Sequence, residues 1–123
     1  MARVLLMVSD LLLGSRVREA IKAGGHEIVS VSSKESVDQA LAAGPVVLLL
    51  ADLSPRGADP LAASVLALLG ELKKGALAQV PVVGYFSHVD VPTMQRAQEA
   101  GVQALPRSAF FADLPALIGR HTG

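Results

Sequence analysis

The chain has 123 residues, enough for one domain with its own core, and no cysteine, which excludes disulfides and zinc–thiolate sites. Its eleven basic and eleven acidic residues cancel, and one tyrosine and three phenylalanines are too few for a base-stacking surface, so we expect no nucleic-acid partner. No apolar stretch approaches the ~18 residues that span a bilayer, so we expect no membrane partner either. With no signal-peptide pattern, residues 1–123 are predicted to form a single cytoplasmic domain.

Five short apolar runs predict β-strands that are buried on both faces, as in a parallel sheet covered by helices. These runs are RVLLMV (3–8), EIVSV (27–31), VVLLLA (46–51), PVVGY (81–85) and VQAL (102–105). Burial on both faces also explains why the hydrophobic content of the chain reaches 51%.

The segments after the first two runs have helical spacing. Residues 13–23 form one apolar face and stop at Gly24. The next segment begins with a capping-box pattern, in which Glu35 would reach back to the backbone of Ser32, and it ends at Gly44. The apolar positions are Leu13, Val17, Ala20 and Ile21 in the first segment and Val37, Ala40 and Leu41 in the second.

Three further helices complete the alternation. The third begins with Asp59 as N-cap and Pro60 as its first residue, and a fourth is predicted over residues 92–100. The fifth covers residues 112–120, with Pro115 confined to its first turn, where a missing amide is tolerated. The apolar stripe of the third helix consists of Leu61, Val65, Leu68, Leu69 and Leu72.

Five β–α units in succession predict an α/β fold. Right-handed crossovers and strands buried on both faces favour a doubly wound, flavodoxin-like (βα)5 sandwich. The parallel five-stranded sheet should have the order 2-1-3-4-5, with helices on both faces.

Two acids follow neighbouring strands of this predicted sheet. Asp10 comes after the first strand and Asp52 after the third, so both should lie at the carboxyl edge, where ligands bind in such folds. Two carboxylates about 5 Å apart repel by about 3 kcal/mol at an effective dielectric constant near 20. A divalent cation would relieve this repulsion, and so would Arg56, four residues after Asp52.

Over its whole length the chain resembles the receiver domains of bacterial response regulators. The stretches GHEIVSVSSKESVDQAL and VPVV…AGVQAL are typical of the second and fifth units of that family. Receivers have an acidic pair after strand one and a phosphorylated aspartate at the end of strand three. They also have a threonine or serine ending strand four and a Lys-Pro pair after strand five.

The resemblance assigns roles to three residues of the acidic edge. Asp52 falls on the phosphoacceptor position and Asp10 on the position of a direct magnesium ligand. Ser54 falls on the residue whose backbone carbonyl completes the metal site. Any Mg²⁺ would therefore be held by these three residues, although the sequence predicts that the site is weak or absent.

The chain departs from the receiver pattern at each remaining position. Ser9 replaces the first acid, and Phe86 takes the place of the switching hydroxyl, with Ser87 one residue late. Ser108 and Ala109 replace the Lys-Pro pair. Magnesium binding loses a carboxylate, phosphoryl transfer loses a stabilising positive charge, and the switch loses its hydroxyl.

Arg107 lies beside the lysine position but is not expected to replace the lysine. If the fifth strand continues through Arg107 and Ser108, their side chains point to opposite faces of the sheet.

These departures predict a pseudoreceiver, a non-enzymatic signalling module that binds a protein partner or a second copy without phosphorylation or a cofactor. In receivers the output face consists of the fourth helix, fifth strand and fifth helix, here residues 91–120. Five apolar residues of that segment are either core or contact residues: Met94, Ala97, Val102, Phe110 and Phe111.

Two other functions remain open from the sequence. One is a working receiver in a two-component phosphorelay, phosphorylated on Asp52 with Mg²⁺. The other is a small-ligand or enzymatic site built from Asp10, Asp52, Ser87 and His88, although the chain has no glycine-rich phosphate-binding motif.

Overall fold

The structure, a computed structural model, describes residues 3–8, 11–53, 61–86 and 91–122, without the side chains of residues 11, 61–64 and 91–93. The strands are β1 (Arg3–Met7), β2 (Glu27–Ser30), β3 (Leu48–Asp52), β4 (Val82–Phe86) and β5 (Gln103–Pro106). The helices are α1 (Leu11–Ala23), α2 (Lys34–Ala43), α3 (Leu61–Lys73), α4 (Val91–Glu99), α5 (Arg107–Ala112) and α6 (Leu114–Thr122).

The predicted sheet is confirmed: all strands are parallel and their order is β2-β1-β3-β4-β5. Apolar side chains on alternate residues build one core on each face of the sheet. The first core packs against α2, α3 and α4, and the second against α1, α5 and α6. Tyr85 aside, no polar or charged side chain of the described residues is fully buried.

The N-terminus of α2 is capped one residue later than the sequence predicts. Ser33 is the N-cap, and its Oγ accepts a hydrogen bond from the backbone amide of Ser36 at 3.2 Å. The Ser36 Oγ accepts from the Ser33 amide at 2.9 Å, which completes a capping box. The predicted pair of Ser32 and Glu35 is therefore wrong, because a serine hydroxyl three residues after Ser33 fills the same role.

The apolar stripe of α3 is broader than predicted. Leu69 and Leu72 are buried, while Val65 and Leu68 are half-buried against the same core. Leu66, outside the predicted stripe, is also buried. The predicted cap and first residue, Asp59 and Pro60, lie outside the described residues.

The predicted fifth helix, residues 112–120, corresponds to α6, and a short helix that was not predicted, α5, precedes it and ends before Asp113. Pro115 has no amide hydrogen to donate to the carbonyl of Phe111, so the helical ladder is interrupted before it. The Asp113 amide closes α5 by donating to Ala109 O at 3.3 Å, and Asp113 O accepts from the Leu117 amide at 2.8 Å at the start of α6. Pro115 lies in the first turn of α6, as predicted.

Candidate functional site

Asp52 is the last residue of β3 and is half-buried. In the sheet register it lies opposite Tyr85 of β4, and its neighbour Ala51 lies opposite Met7 at the end of β1. The carboxyl ends of β1, β3 and β4 therefore meet around Asp52, at the edge where doubly wound α/β sheets in general bind their ligands.

Several predicted site residues lie outside the described residues. They are Ser9, Asp10, Ser54, Arg56, Ser87 and His88. Their predicted roles, including a metal site with Asp52 and an Arg56–Asp52 pair, stay predictions. Among the residues that the structure does describe, no group of three His, Asp or Glu side chains is arranged to hold a metal ion.

Phe86 ends β4, at the position where the receiver resemblance implies a hydroxyl. Its side chain is 1% exposed, so it belongs to the packed interior. By strand alternation it shares a sheet face with Val82, which packs in the core under α2, α3 and α4. This end of β4 is therefore closed by an aromatic ring.

Leu53, the residue after β3, packs at the same end of the sheet. Its amide donates to Tyr85 O at 2.7 Å, and its side chain is 1% exposed. That side chain lies directly over Gly84: a Cβ on Gly84 would be 2.5 Å from both Leu53 Cγ and Cδ1. This contact was not predicted, although a glycine inside an apolar strand is the sequence signal of a close approach.

Three aromatic rings meet on the opposite face of the sheet. Ring centroids are 4.8 Å apart for Tyr85 and Phe110, 5.2 Å for Tyr85 and Phe111, and 5.1 Å for Phe110 and Phe111. The Arg16 guanidinium carbon of α1 lies 4.3 Å from the centroid of the Phe111 ring. This cation–π contact joins α1 to α5 beside the carboxyl edge, and no spacing in the sequence indicates it.

The expectation that Arg107 and Ser108 continue the fifth strand is wrong. β5 ends at Pro106, and Arg107 and Ser108 are the first residues of α5, both exposed. Pro106 has φ −57° and ψ 145° and serves as the N-cap of α5. A helix therefore begins directly at the position where receivers carry their lysine. Arg107 and Ser108 are helical, so their side chains do not alternate across a strand.

The apolar residues of the predicted output face divide into core and rim. Ala97, Val102 and Phe110 are buried, with exposed fractions of 0%, 3% and 0%. Met94 and Phe111 are half-buried. The exposed side chains described on α4 and β5 are all polar: Gln95, Arg96, Gln98, Glu99 and Gln103.

No protein-family model matches the chain, and no curated protein sequence matches it either. Solved structures do. A response regulator from Thermotoga maritima superposes with a TM-score of 0.75 at 12% identity, over 98% of this chain and 96% of that one. The chemotaxis response regulator CheY4 of Vibrio cholerae gives 0.73 at 13% identity, over 98% of both chains.

NtrX from Brucella abortus, solved in complex with ADP, gives a TM-score of 0.73 at 23% identity. The match covers 98% of this chain but 27% of NtrX, so the chain spans about a quarter of that protein. The chain thus has the fold of response-regulator receiver domains. None of the helices in the described part of the chain is long and apolar enough to cross a membrane.

Proposed function

We propose that the chain is a pseudoreceiver, a receiver-fold signalling module that binds another protein and is not phosphorylated on Asp52. The observation that carries the proposal is Phe86, which fills the end of β4 with a buried ring where a receiver would present its switching hydroxyl. A phenyl ring cannot hydrogen-bond a phosphoryl oxygen, so it cannot couple phosphorylation to a movement of the output face.

The lysine position supports the same proposal. Transfer of a phosphoryl group depends on positive charges that stabilise its equatorial oxygens. Ser108 brings a neutral hydroxyl to that position, at the exposed start of α5. Asp52 would therefore face an incoming phosphoryl group without the ammonium group that receivers supply.

Magnesium binding is the second requirement for phosphorylation. The resemblance implies Asp10, Asp52 and the Ser54 carbonyl as ligands, with Ser9 in place of a further acid. Mg²⁺ requires near-octahedral oxygen ligands, and loss of a carboxylate weakens the site. We expect no amide shifts of residues 9, 10 and 52 in a magnesium titration to millimolar concentration.

The proposed activity is docking through the output face, residues 91–120. The exposed side chains described on α4 and β5 are polar, so these elements would bind the partner through hydrogen bonds and charges beside the half-buried Met94. The exposed apolar residues of α5 and α6 are small: Ala109, Ala112, Pro115 and Ala116. This composition suits a transient signalling contact better than an obligate apolar interface.

A working phosphoacceptor is the competing function, and the position of Asp52 favours it. Asp52 ends β3 and is half-buried at the edge where three strands meet. An aspartate there remains a competent nucleophile if a metal assists.

Incubation with acetyl phosphate and Mg²⁺, followed by intact mass spectrometry, separates the two functions. We expect no phosphate adduct on the native chain, while a response regulator with the complete motif acquires one in parallel. The control is Asp52→Asn, which keeps the shape of the side chain. An adduct on the native chain that is missing from Asp52→Asn would refute the proposal.

A further inference from the structure

A groove of about 730 Å³ lies between the C-terminal halves of α3 and α4. Helices in this fold run antiparallel to the strands, so the groove is toward the amino edge of the sheet, away from Asp52. Its walls include the small residues Ala67, Gly70 and Ala100. A Cβ on Gly70 would lie 3.5 Å from Ala100 Cβ, so α3 and the C-terminal end of α4 are close together at this point. The groove lies beside this close approach.

The charged side chains around this groove differ in whether they form an interaction with another described residue. Lys74, the residue after α3, forms an ion pair with Glu71 at 3.6 Å, and Lys73 Nζ donates to Val80 O at 2.9 Å. On α4, Arg96 and Glu99 are exposed and line the groove one turn apart. Within the described part of the chain, neither Arg96 nor Glu99 forms an ion pair within 4 Å.

α4 is also thinly covered by the rest of the molecule. Of its side chains at positions 94–99, Ala97 alone is buried and Met94 is half-buried. The other four are exposed, so most of the described surface of α4 is available for contact.

We propose that the groove is a self-association site, in which α4 of a second copy of this chain packs against α3 and α4 about a two-fold axis. A two-fold axis places the two α4 helices antiparallel, so Arg96 faces Glu99 of the partner subunit and the reverse pair forms equally. The small residues of the groove let the second helix approach closely.

The charge pattern selects a second copy over an unrelated protein. Opposite charges one turn apart on the same helix complement that helix when it is reversed. A uniformly acidic or basic partner would be matched by one of the two residues and repelled by the other. The inference goes beyond the docking function proposed above because it names the occupant, a second copy, and the groove between α3 and α4. Arg96 and Glu99 belong to both surfaces, and the inference does not depend on the state of Asp52.

Charge reversal with mixing gives a direct test. Sedimentation equilibrium should show a concentration-dependent dimer for the native chain. Arg96→Glu and Glu99→Arg should each weaken the homodimer at least about tenfold, because both two-fold pairs become like-charged. An equimolar mixture of the two variants should dimerise again, since the two acids on α4 of the first variant then face the two arginines on α4 of the second.

Lys34→Glu and Asp38→Lys provide the matched control. These residues are also oppositely charged and exposed, four positions apart on α2, and their reversal should leave the native dimer unchanged. Circular dichroism checks that every variant is folded.

Three results would overturn the inference: a native chain that stays monomeric to millimolar concentration, single variants that dimerise like the native chain, or a mixture that fails to restore the dimer. None of them bears on phosphorylation of Asp52, which the acetyl phosphate experiment measures separately.

Discussion

Replacing Gly84 by alanine adds a methyl group to space that Leu53 already occupies. The added carbon would lie 2.5 Å from Leu53 Cγ and Cδ1 and 3.0 Å from Cδ2, whereas carbon atoms pack at about 3.5–4.0 Å. Gly84 is paired on both sides, to Ala51 and Ala104, so its strand cannot move away easily. Leu53 is 1% exposed and has little free space to enter.

The expected cost follows from two opposing effects. Overpacking of a close-packed core costs about 1–3 kcal/mol. Alanine recovers about 0.5–1 kcal/mol relative to glycine, because it loses less backbone freedom on folding. Gly84→Ala should therefore lower the free energy of unfolding by up to about 2.5 kcal/mol, with about 1 kcal/mol as the central expectation, and reduce the Tm by about 4 °C per kcal/mol.

Urea unfolding of a double-mutant cycle tests whether Leu53 is the cause. Leu53→Ala alone should cost about 2–5 kcal/mol, and in that background Gly84→Ala should be neutral or stabilising because the clash is gone. Gly119→Ala is the matched control: nothing lies within 4 Å of its added Cβ, so it should stabilise α6 by about 0.5–1 kcal/mol. An equal cost of Gly84→Ala with and without Leu53 would refute the steric reasoning.

Ser36→Ala should lower the free energy of unfolding by about 1 kcal/mol, because the α2 capping box is lost. Glu35→Ala should have little effect, and equal effects of the two variants in urea unfolding would contradict the Ser33 cap. Arg16→Ala should cost about 0.5–1 kcal/mol from the contact with Phe111, and Arg16→Gln, which keeps much of the chain length without the charge, should cost nearly as much if the cation–π interaction is the cause. Ser9→Asp with Ser108→Lys, which restores an acid and a cation, should acquire a magnesium-dependent phosphate on Asp52 by intact mass spectrometry. Continued inertness of this folded variant would contradict the proposed role of the missing acid and lysine.

The topology could be predicted from the sequence because burial on both faces makes each strand a continuous apolar run. The strand boundaries were predicted less accurately: β3 begins at Leu48 rather than at residue 46 and includes Asp52. The cap of α2 could not be chosen from sequence, because Ser32, Ser33 and Ser36 offer competing hydroxyl groups within one turn.

Of the candidate site, the sequence predicted the residues that end the strands but not the local structure that follows them. Asp52 and Phe86 each end a strand at the same edge of the sheet, as their positions after apolar runs indicate. The start of α5 at Arg107 was hidden, because Pro106 reads equally well as the end of a strand or the entry to a helix. The sequence also did not show that Phe110 is buried and Phe111 half-buried. Because α5 was not predicted, it was not known which of its side chains face the core.

The nearly wholly apolar side-chain interior of the described residues limits how one edge of the domain can influence another. A relay of protons or of rearranging hydrogen bonds needs several polar groups along its route, and beyond the Tyr85 hydroxyl the fully buried side chains of this part of the chain offer none. Any influence passing from the Asp52 edge to α4 through these layers must therefore be steric, carried by displaced leucine, valine and phenylalanine side chains. Such close-packed layers resist small displacements, which suits the proposed docking module, because its binding surface would keep a constant shape.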